Sequence, residues 1–204
     1  MYVYRQYSIN KMIEIYDDII PLETQMFVEN AMTDSAFPWY LTKGTVDTKE
    51  QEYLNCYLHE DLLKDYNVKE YIQFIHMFYT HEREICSPAY TTLVLPLFEK
   101  LRTTANVEWK QFLRIKANFQ TQCNFSKDQF INMPHIDTLF SHKVALYYVN
   151  DSDGDTVFFN NDGTILQTVT PKRGRFVVFD GTQFHAGRHP MLSEKRVVIN
   201  FDFQ

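Results

Sequence analysis

The chain has 204 residues, of which 45% are hydrophobic and 23% charged, with a formal net charge of −6. This composition excludes a low-complexity or collagen-like chain and fits one packed domain. An acidic balance offers no whole-protein attraction to a phosphate backbone, so no nucleic-acid partner is expected. The three cysteines, Cys56, Cys86 and Cys123, are odd in number, widely spaced and without a CxxC pair. They suit free thiols in a reducing, cytoplasmic compartment. The N-terminal segment is too polar for a signal peptide, and no apolar run is long enough to span a membrane.

In chain order, the first half reads mostly as helix. Met12, Ile15, Tyr16 and Ile19 recur at spacings of three and four, and Pro21 then stops the pattern. Phe37-Pro38-Trp39-Tyr40-Leu41 is an aromatic segment before Gly44 that fits a loop anchored in the core or a substrate wall. Val68, Tyr71, Phe74, Ile75 and Phe78 trace one face of a helix running to about Tyr79. A further helical segment is expected within 88–101, where Pro96 either kinks it or begins a second piece.

The period changes after Trp109. Phe112, Arg114, Lys116 and Asn118 alternate with Leu113, Ile115, Ala117 and Phe119, as on a strand. Short strands follow at 143–150, 156–159, 164–168, 175–180 and 195–203, separated by turn-forming runs such as Asp151–Asp155 and Asn160–Gly163. So many strands without intervening helices argue against βαβ units. The expected fold is mainly β with a helical N-terminal half: a double-stranded β-helix (jelly roll, cupin-like) buttressed by helices. The expected organisation is a single domain over 1–204, with 1–108 as a mostly helical support and 109–204 as the jelly-roll core.

Within that core, Pro134-His135-Ile136-Asp137 precedes a distant Phe184-His185. Two positions apart on an extended segment, His135 and Asp137 point to the same side. A histidine from a facing strand completes two imidazoles and one carboxylate, the facial set used by non-haem Fe(II) oxygenases. His135, Asp137 and His185 are thus the candidate metal ligands and the centre of the candidate catalytic site. The set lacks the thiolates of a structural zinc site, although zinc held by two His and one Asp is compatible with it. HxD alone is a weak signal, which a surface His and a turn-capping Asp explain equally well.

Arg196, Val198, Asn200 and Asp202 share one face of the last strand, opposite Val197, Ile199, Phe201 and Phe203. Arg196 either lies on an exposed edge or points inward and needs an anion there. Tyr148 shares a face with Val144 and Leu146 and can donate to the same anion. His142 and His189 read as loop residues or as partners of the metal ligands. Trp39, Tyr40 and Trp109 are candidates to line a channel.

Four stretches now resemble the 2-oxoglutarate- and iron(II)-dependent oxygenases, most closely the prolyl 4-hydroxylase-like branch. They are Arg114–Asn118, Pro134–Asp137, Ala145–Asn150 with Asp153–Phe158, and Pro171–Asp180 leading to His185-Ala186-Gly187, with Arg196 completing the series. The resemblance covers about residues 110–204. It implies that His135, Asp137 and His185 hold Fe(II), that Arg196 binds the distal carboxylate of the co-substrate 2-oxoglutarate, and that Tyr148 assists there. Asn200 and Asn118 fall where pocket-lining polar residues are expected. O2 is the second co-substrate, and succinate and CO2 are the by-products.

Where the family turn has Gly-Gly, this chain has Gly154-Asp155, a change near the mouth of the site. The acid-rich Asp151–Asp155 run lacks the remaining ligands of a calcium loop and reads as a solvated turn. Asp137 supplies the carboxylate that halogenating relatives lack, which favours hydroxylation. The resemblance points to a prolyl residue of a peptide or protein as substrate, with free amino acids or other small molecules next. A jelly-roll binding module without turnover is the reading from another class.

Overall fold

In the computed structural model, which describes residues 13–44, 56–124 and 130–204, the chain enters as a short strand, β1 (Glu14–Tyr16), and then a helix, α1 (Leu22–Thr33). Next come β2 (Tyr40–Thr42), β3 (Gln73–Thr80) and β4 (Glu84–Ile85). A π-helical turn at Tyr90–Val94 runs into α2 (Leu95–Ala105). The remaining strands are β5 (Phe112–Thr121), β6 (Lys143–Tyr148), β7 (Thr156–Phe159), β8 (Ile165–Val169), β9 (Phe176–Asp180), β10 (His185–Gly187) and β11 (Lys195–Phe203).

These strands form two antiparallel sheets. The larger has the order β1-β9-β6-β11-β5-β3-β2, with β4 paired to β3; the smaller is β10-β7-β8. One face of the large sheet packs Ile115, Tyr147, Ile199 and Phe201 against Leu97 and Phe98 of α2 and Met32 of α1. Its other face packs Val144, Leu146, Val177 and Val198 against Phe158 and Val169 of the small sheet. Burial on both faces explains why β6 and β9 read as near-continuous apolar runs. The expected jelly roll is therefore present, with helices covering the outer face of its larger sheet.

Three expectations for the first half are corrected. The segment expected as a helix to Tyr79 is a strand over Gln73–Thr80, paired with β2 and β5. Its aromatic and branched residues gain more from a place in the sheet than helical spacing offers. Val68 and Tyr71, which precede the strand, make the spacing look helical, and a bulge between Met77 and Tyr79 disturbs the period of two at its far end. Glu14–Tyr16 is likewise a strand, paired with β9; Met12 lies outside the described residues. Pro21 does not stop a helix. It stands at the N-cap of α1, where its fixed φ suits a helix start.

Other expectations fit. The segment within 88–101 is helical, and Pro96 sits in the first turn of α2, where its missing N–H leaves no bond unmade. The Phe37–Leu41 segment is anchored only in part: Trp39 donates its indole N–H to the Met32 carbonyl at 3.0 Å and packs on Phe37 and Phe119, whereas Tyr40 and Leu41 are exposed and begin β2 in place of the expected loop. Among the described residues, no helix is long and apolar enough to cross a membrane.

Candidate active site

The site grows from the pairing of β5 with β11. On the inward face of this ladder, Arg114 lies opposite Asp202, Lys116 opposite Asn200, Asn118 opposite Val198 and Gln120 opposite Arg196. Strand parity thus lines up polar side chains between the sheets while the alternate residues build the core. A β-bulge near Phe203 moves Phe112 off this face and into the aromatic core, correcting the expectation that it shares a side with Arg114.

The HxD segment enters from across the cavity. His135 and His185 exchange both backbone hydrogen bonds at 3.0 Å, which places their rings 5.0 Å apart between centroids. Each ring directs Nδ1 to a carbonyl of its own segment: His135 to Met133 at 2.8 Å and His185 to Gln183 at 3.1 Å. A carbonyl only accepts, so Nδ1 carries the proton and the neutral ring keeps its lone pair on Nε2. His185 Nε2 faces Asp137 Oδ2 at 3.6 Å. Burial, reinforced by His135, pushes the His185 pKa down to about 4, so the ring is neutral near pH 7. Two lone-pair donors therefore face each other with no proton between them. This donor set fits a divalent cation.

Burial opposes ionisation of Asp137, but Arg114 and the two imidazoles outweigh it and hold the carboxyl well below the usual carboxylate range. Arg114 donates to Asp137 Oδ1 and also pairs with Asp202 Oδ2 at 2.7 Å. With one guanidinium shared by two carboxylates, burial and the charge of Asp137 push Asp202 up to about 6. Asn200 completes the shell, with Nδ2 3.5 Å from Asp137 Oδ2.

A second grouping overlaps this one. Single ligand atoms of Asp137, His142 and Asp202 lie within 4.8 Å of one another, close enough to hold a metal ion, whereas those of His135, Asp137 and His185 do not all fall within that distance. Asp137 belongs to both groupings, but the surroundings differ. In the second, Arg114 already pairs with both carboxylates and cancels one of their two charges. Gly181 also presses so closely on His142 that a Cβ there would fall 2.1 Å from Nε2. The His135–Asp137–His185 side has no such cation between its donors and opens on a cavity of about 60 Å³.

Arg196 lines the same cavity. It lies four positions from Asn200 on β11, a span of about 13 Å along the strand. The expectation of an inward Arg is met: Arg196 is only 6% exposed. Its Nε donates to the Gly154 carbonyl at 2.6 Å, and its terminal nitrogens donate to Gln120 Oε1 at 3.1 Å and Thr156 Oγ1 at 2.8 Å. All three acceptors are neutral, and no described carboxylate lies within ion-pair distance. Burial pushes the Arg196 pKa down from its ordinary value. A buried guanidinium without an anion is a built anion site. Gly154 is required beside it, because a Cβ would come within 2.8 Å of Arg196 Cδ.

The other expected residues divide. Asn118 and Asn200 line the cavity, each with a buried, unpartnered Oδ1. Tyr148 is on the expected face but does not line the cavity: its hydroxyl stops at Thr156 Oγ1, 2.7 Å away. Thr156 accepts from both Tyr148 and Arg196, and its own proton is free to point into the cavity. Trp39 packs on Phe119, Trp109 is exposed with its ring against Phe98 and Phe112, and neither they nor exposed Tyr40 line the cavity. His142 and His189 are both buried rather than surface residues. The Asp151–Asp155 turn is also more than solvated surface, because Asp153 accepts backbone N–H bonds from Met191, Leu192 and Ser193 at 2.9–3.0 Å.

Sequence reasoning missed Arg114, Lys116, Thr156 and Asp202 as site residues. The signal was their place on the inward faces of β5, β7 and β11. Lys116 lines the cavity and, among the described residues, makes no hydrogen bond or ion pair. Burial and the nearby Arg114 push its pKa down to about 8. Asn132 also lines the cavity, is fully buried, and has neither side-chain polar atom partnered.

No protein-family model and no curated protein matches the chain. Solved structures do share its fold. An oxidoreductase of the 2OG-Fe(II) oxygenase family from Burkholderia pseudomallei aligns with a TM-score of 0.66 at 8% identity, covering 94% of this chain and 84% of that one. A Pseudomonas putida prolyl-4-hydroxylase aligns at 0.56 and 14% identity, covering 96% and 94%. SnoN, a non-haem alpha-ketoglutarate-dependent epimerase from nogalamycin biosynthesis, aligns at 0.57 and 9%, covering 95% and 78%. The shared feature is the jelly-roll fold, and proteins that wear it run different reactions.

Proposed function

We propose that the protein is a 2-oxoglutarate- and iron(II)-dependent dioxygenase that hydroxylates an unactivated C–H bond. One observation supports this best: a single cavity presents the opposed donors of Asp137 and His185 and, further along β11, a buried guanidinium without an anion. His135, Asp137 and His185 would hold the iron, and Arg196 would hold the distal carboxylate of 2-oxoglutarate. Bound there, iron with 2-oxoglutarate and O2 supplies the oxidation of a substrate C–H to C–OH, releasing succinate and CO2.

The residues of the chain have separate tasks in this reading. Arg114 and Asn200 orient the Asp137 carboxylate. The Met133 and Gln183 carbonyls fix the tautomers of the two imidazoles. Thr156, backed by Tyr148, and Gln120 hold Arg196 in place, while Asn118 offers an amide to the bound acid. By resemblance, the substrate is a prolyl residue of a peptide or protein, or a free amino acid. The chain is read as one domain, and its three free cysteines suit a cytoplasmic setting.

The test is conversion of 2-oxoglutarate to succinate by the purified protein with and without ferrous iron. Iron-dependent succinate formation is expected. Its absence, with or without candidate substrates, would leave a binding module in place of an enzyme.

A further inference from the structure

We infer that the substrate carries a free carboxylate, received by Lys116, and that it is a free amino or imino acid rather than an internal residue of a polypeptide. This rests on the oxygenase reading of the same site. In the β5–β11 ladder, Arg114 has Asp202 opposite it, whereas Lys116 faces the neutral Asn200. Lys116 nevertheless points into the cavity; Asp137 and Asp202 attract its charge, but neither lies within ion-pair distance of its ammonium. A cation held in a half-buried cleft without a partner is a binding group awaiting an anion.

Charge balance distinguishes Lys116 from Arg196. Arg114 neutralises one of the two carboxylates it touches, leaving one negative charge on that pair. A ferrous ion reverses the balance to one positive charge. Arg196 adds another, and the two carboxylates of 2-oxoglutarate cancel both. Lys116 is then the surplus, and it calls for one further anionic group that only the substrate can bring. Asn132, buried with both amide atoms unpartnered, independently marks the cavity as built for a polar ligand. An internal prolyl residue has no carboxylate and would leave Lys116 unpaired. A free amino or imino acid supplies the carboxylate and also brings an ammonium, for which the unpartnered Oδ1 atoms of Asn118, Asn132 and Asn200 offer acceptors in the same cavity.

The experiment uses the iron-loaded protein with 2-oxoglutarate. The probes are the proteinogenic L-amino acids, the α-amide of each, and a prolyl peptide with blocked termini. Succinate release and substrate mass gain are read in air, and heats of binding are read under anaerobic conditions. At least one free acid is expected to bind and to raise succinate release above the rate without substrate. Its amide should bind about tenfold more weakly or worse, the scale of a lost charge-assisted bond. Lys116→Gln should weaken that acid by a similar factor, more than it weakens 2-oxoglutarate, and Lys116→Arg should recover most of the loss.

The acid–amide comparison needs no variant, so it stands even if a substitution disturbs folding. Equal use of acid and amide overturns the inference, as does preference for the blocked peptide. So does succinate formation that no free acid stimulates, or a Lys116→Gln effect confined to 2-oxoglutarate. Each of those outcomes leaves the oxygenase standing. A lack of any iron-dependent succinate removes the oxygenase reading and this inference with it.

Discussion

His185 Nε2 lies 3.6 Å from Asp137 Oδ2 while the other nitrogen of the ring is engaged by the Gln183 carbonyl. The contact is too long for a strong hydrogen bond. It is short enough for both atoms to reach one ion. His135→Ala, Asp137→Ala and His185→Ala should therefore each abolish iron-dependent succinate formation and lower bound iron to background. Iron is read by elemental analysis and folding by circular dichroism. Full iron content in folded His135→Ala and His185→Ala, with loss only in Asp137→Ala, would remove the ligand assignment and point to the Asp137, His142 and Asp202 grouping instead.

Arg114 touches both Asp137 and Asp202, whose side chains are only 6% and 4% exposed. Arg114→Met would strand two buried carboxylates. Breaking a buried pair costs about 3–5 kcal/mol, and the 29% exposure of Arg114 places the expected loss at the low end of that range. Iron affinity should fall about 10–100-fold as Asp137 loses its orientation. Adding Asp202→Asn to Arg114→Met should restore part of the stability by removing one stranded charge. The urea midpoint reads stability and a competing chelator reads affinity. A double variant no more stable than the single one would deny that Arg114 serves both acids.

Much of this arrangement was legible in the sequence, because strands fix parity. The residues of β11 divide into Arg196, Val198, Asn200 and Asp202 on one face and four core apolar residues on the other, as expected. The bounds of β7 and β11 matched those expected. Two things were hidden. Gln73–Thr80 joins a helix-like spacing with Val68 and Tyr71, which lie before the strand, and its pairing with β5 is non-local. The partners of Arg114 were also hidden: Asp137 and Asp202 lie 23 and 88 positions away, and only the sheet register unites them. Tyr148 was placed on the correct face, but side-chain length alone could not show that Thr156 intervenes.

Asp202 makes the stability of the metal-free protein depend on pH in an unusual direction. Its pKa is raised from 3.8 to about 6, so between those values the native state holds the proton more tightly than the unfolded chain. The contribution of Asp202 to stability therefore falls as pH rises from about 4 to about 6, then levels. His185 works in the opposite sense, because its pKa is pushed down to about 4 and the unfolded ring takes the proton first. Asp137, held low, adds stability above the usual carboxylate pKa and loses it in stronger acid. The difference between wild type and Asp202→Asn isolates the Asp202 part. The variant should gain on wild type as pH rises through that window, read by urea midpoints at closely spaced pH values. A difference independent of pH would show that Asp202 titrates at its ordinary value.

At Arg196, the hydrogen bonds predict an order of effects among three variants. Arg196 bonds to Gly154, Gln120 and Thr156, and Thr156 in turn receives the Tyr148 hydroxyl. Arg196→Met removes the charge that would meet the distal carboxylate and should raise the KM for 2-oxoglutarate most, by about tenfold or more. Thr156→Val takes away the acceptor of a buried guanidinium N–H and one donor into the cavity. An unmet buried partner costs about 1–3 kcal/mol, so an intermediate rise in KM and a measurable loss of stability are expected. Tyr148→Phe deletes only the hydroxyl behind Thr156 and should change KM least, because Thr156 still accepts from Arg196. If Tyr148→Phe instead matched Arg196→Met, the phenol would have to reach the co-substrate directly, and the role given to Thr156 would be wrong.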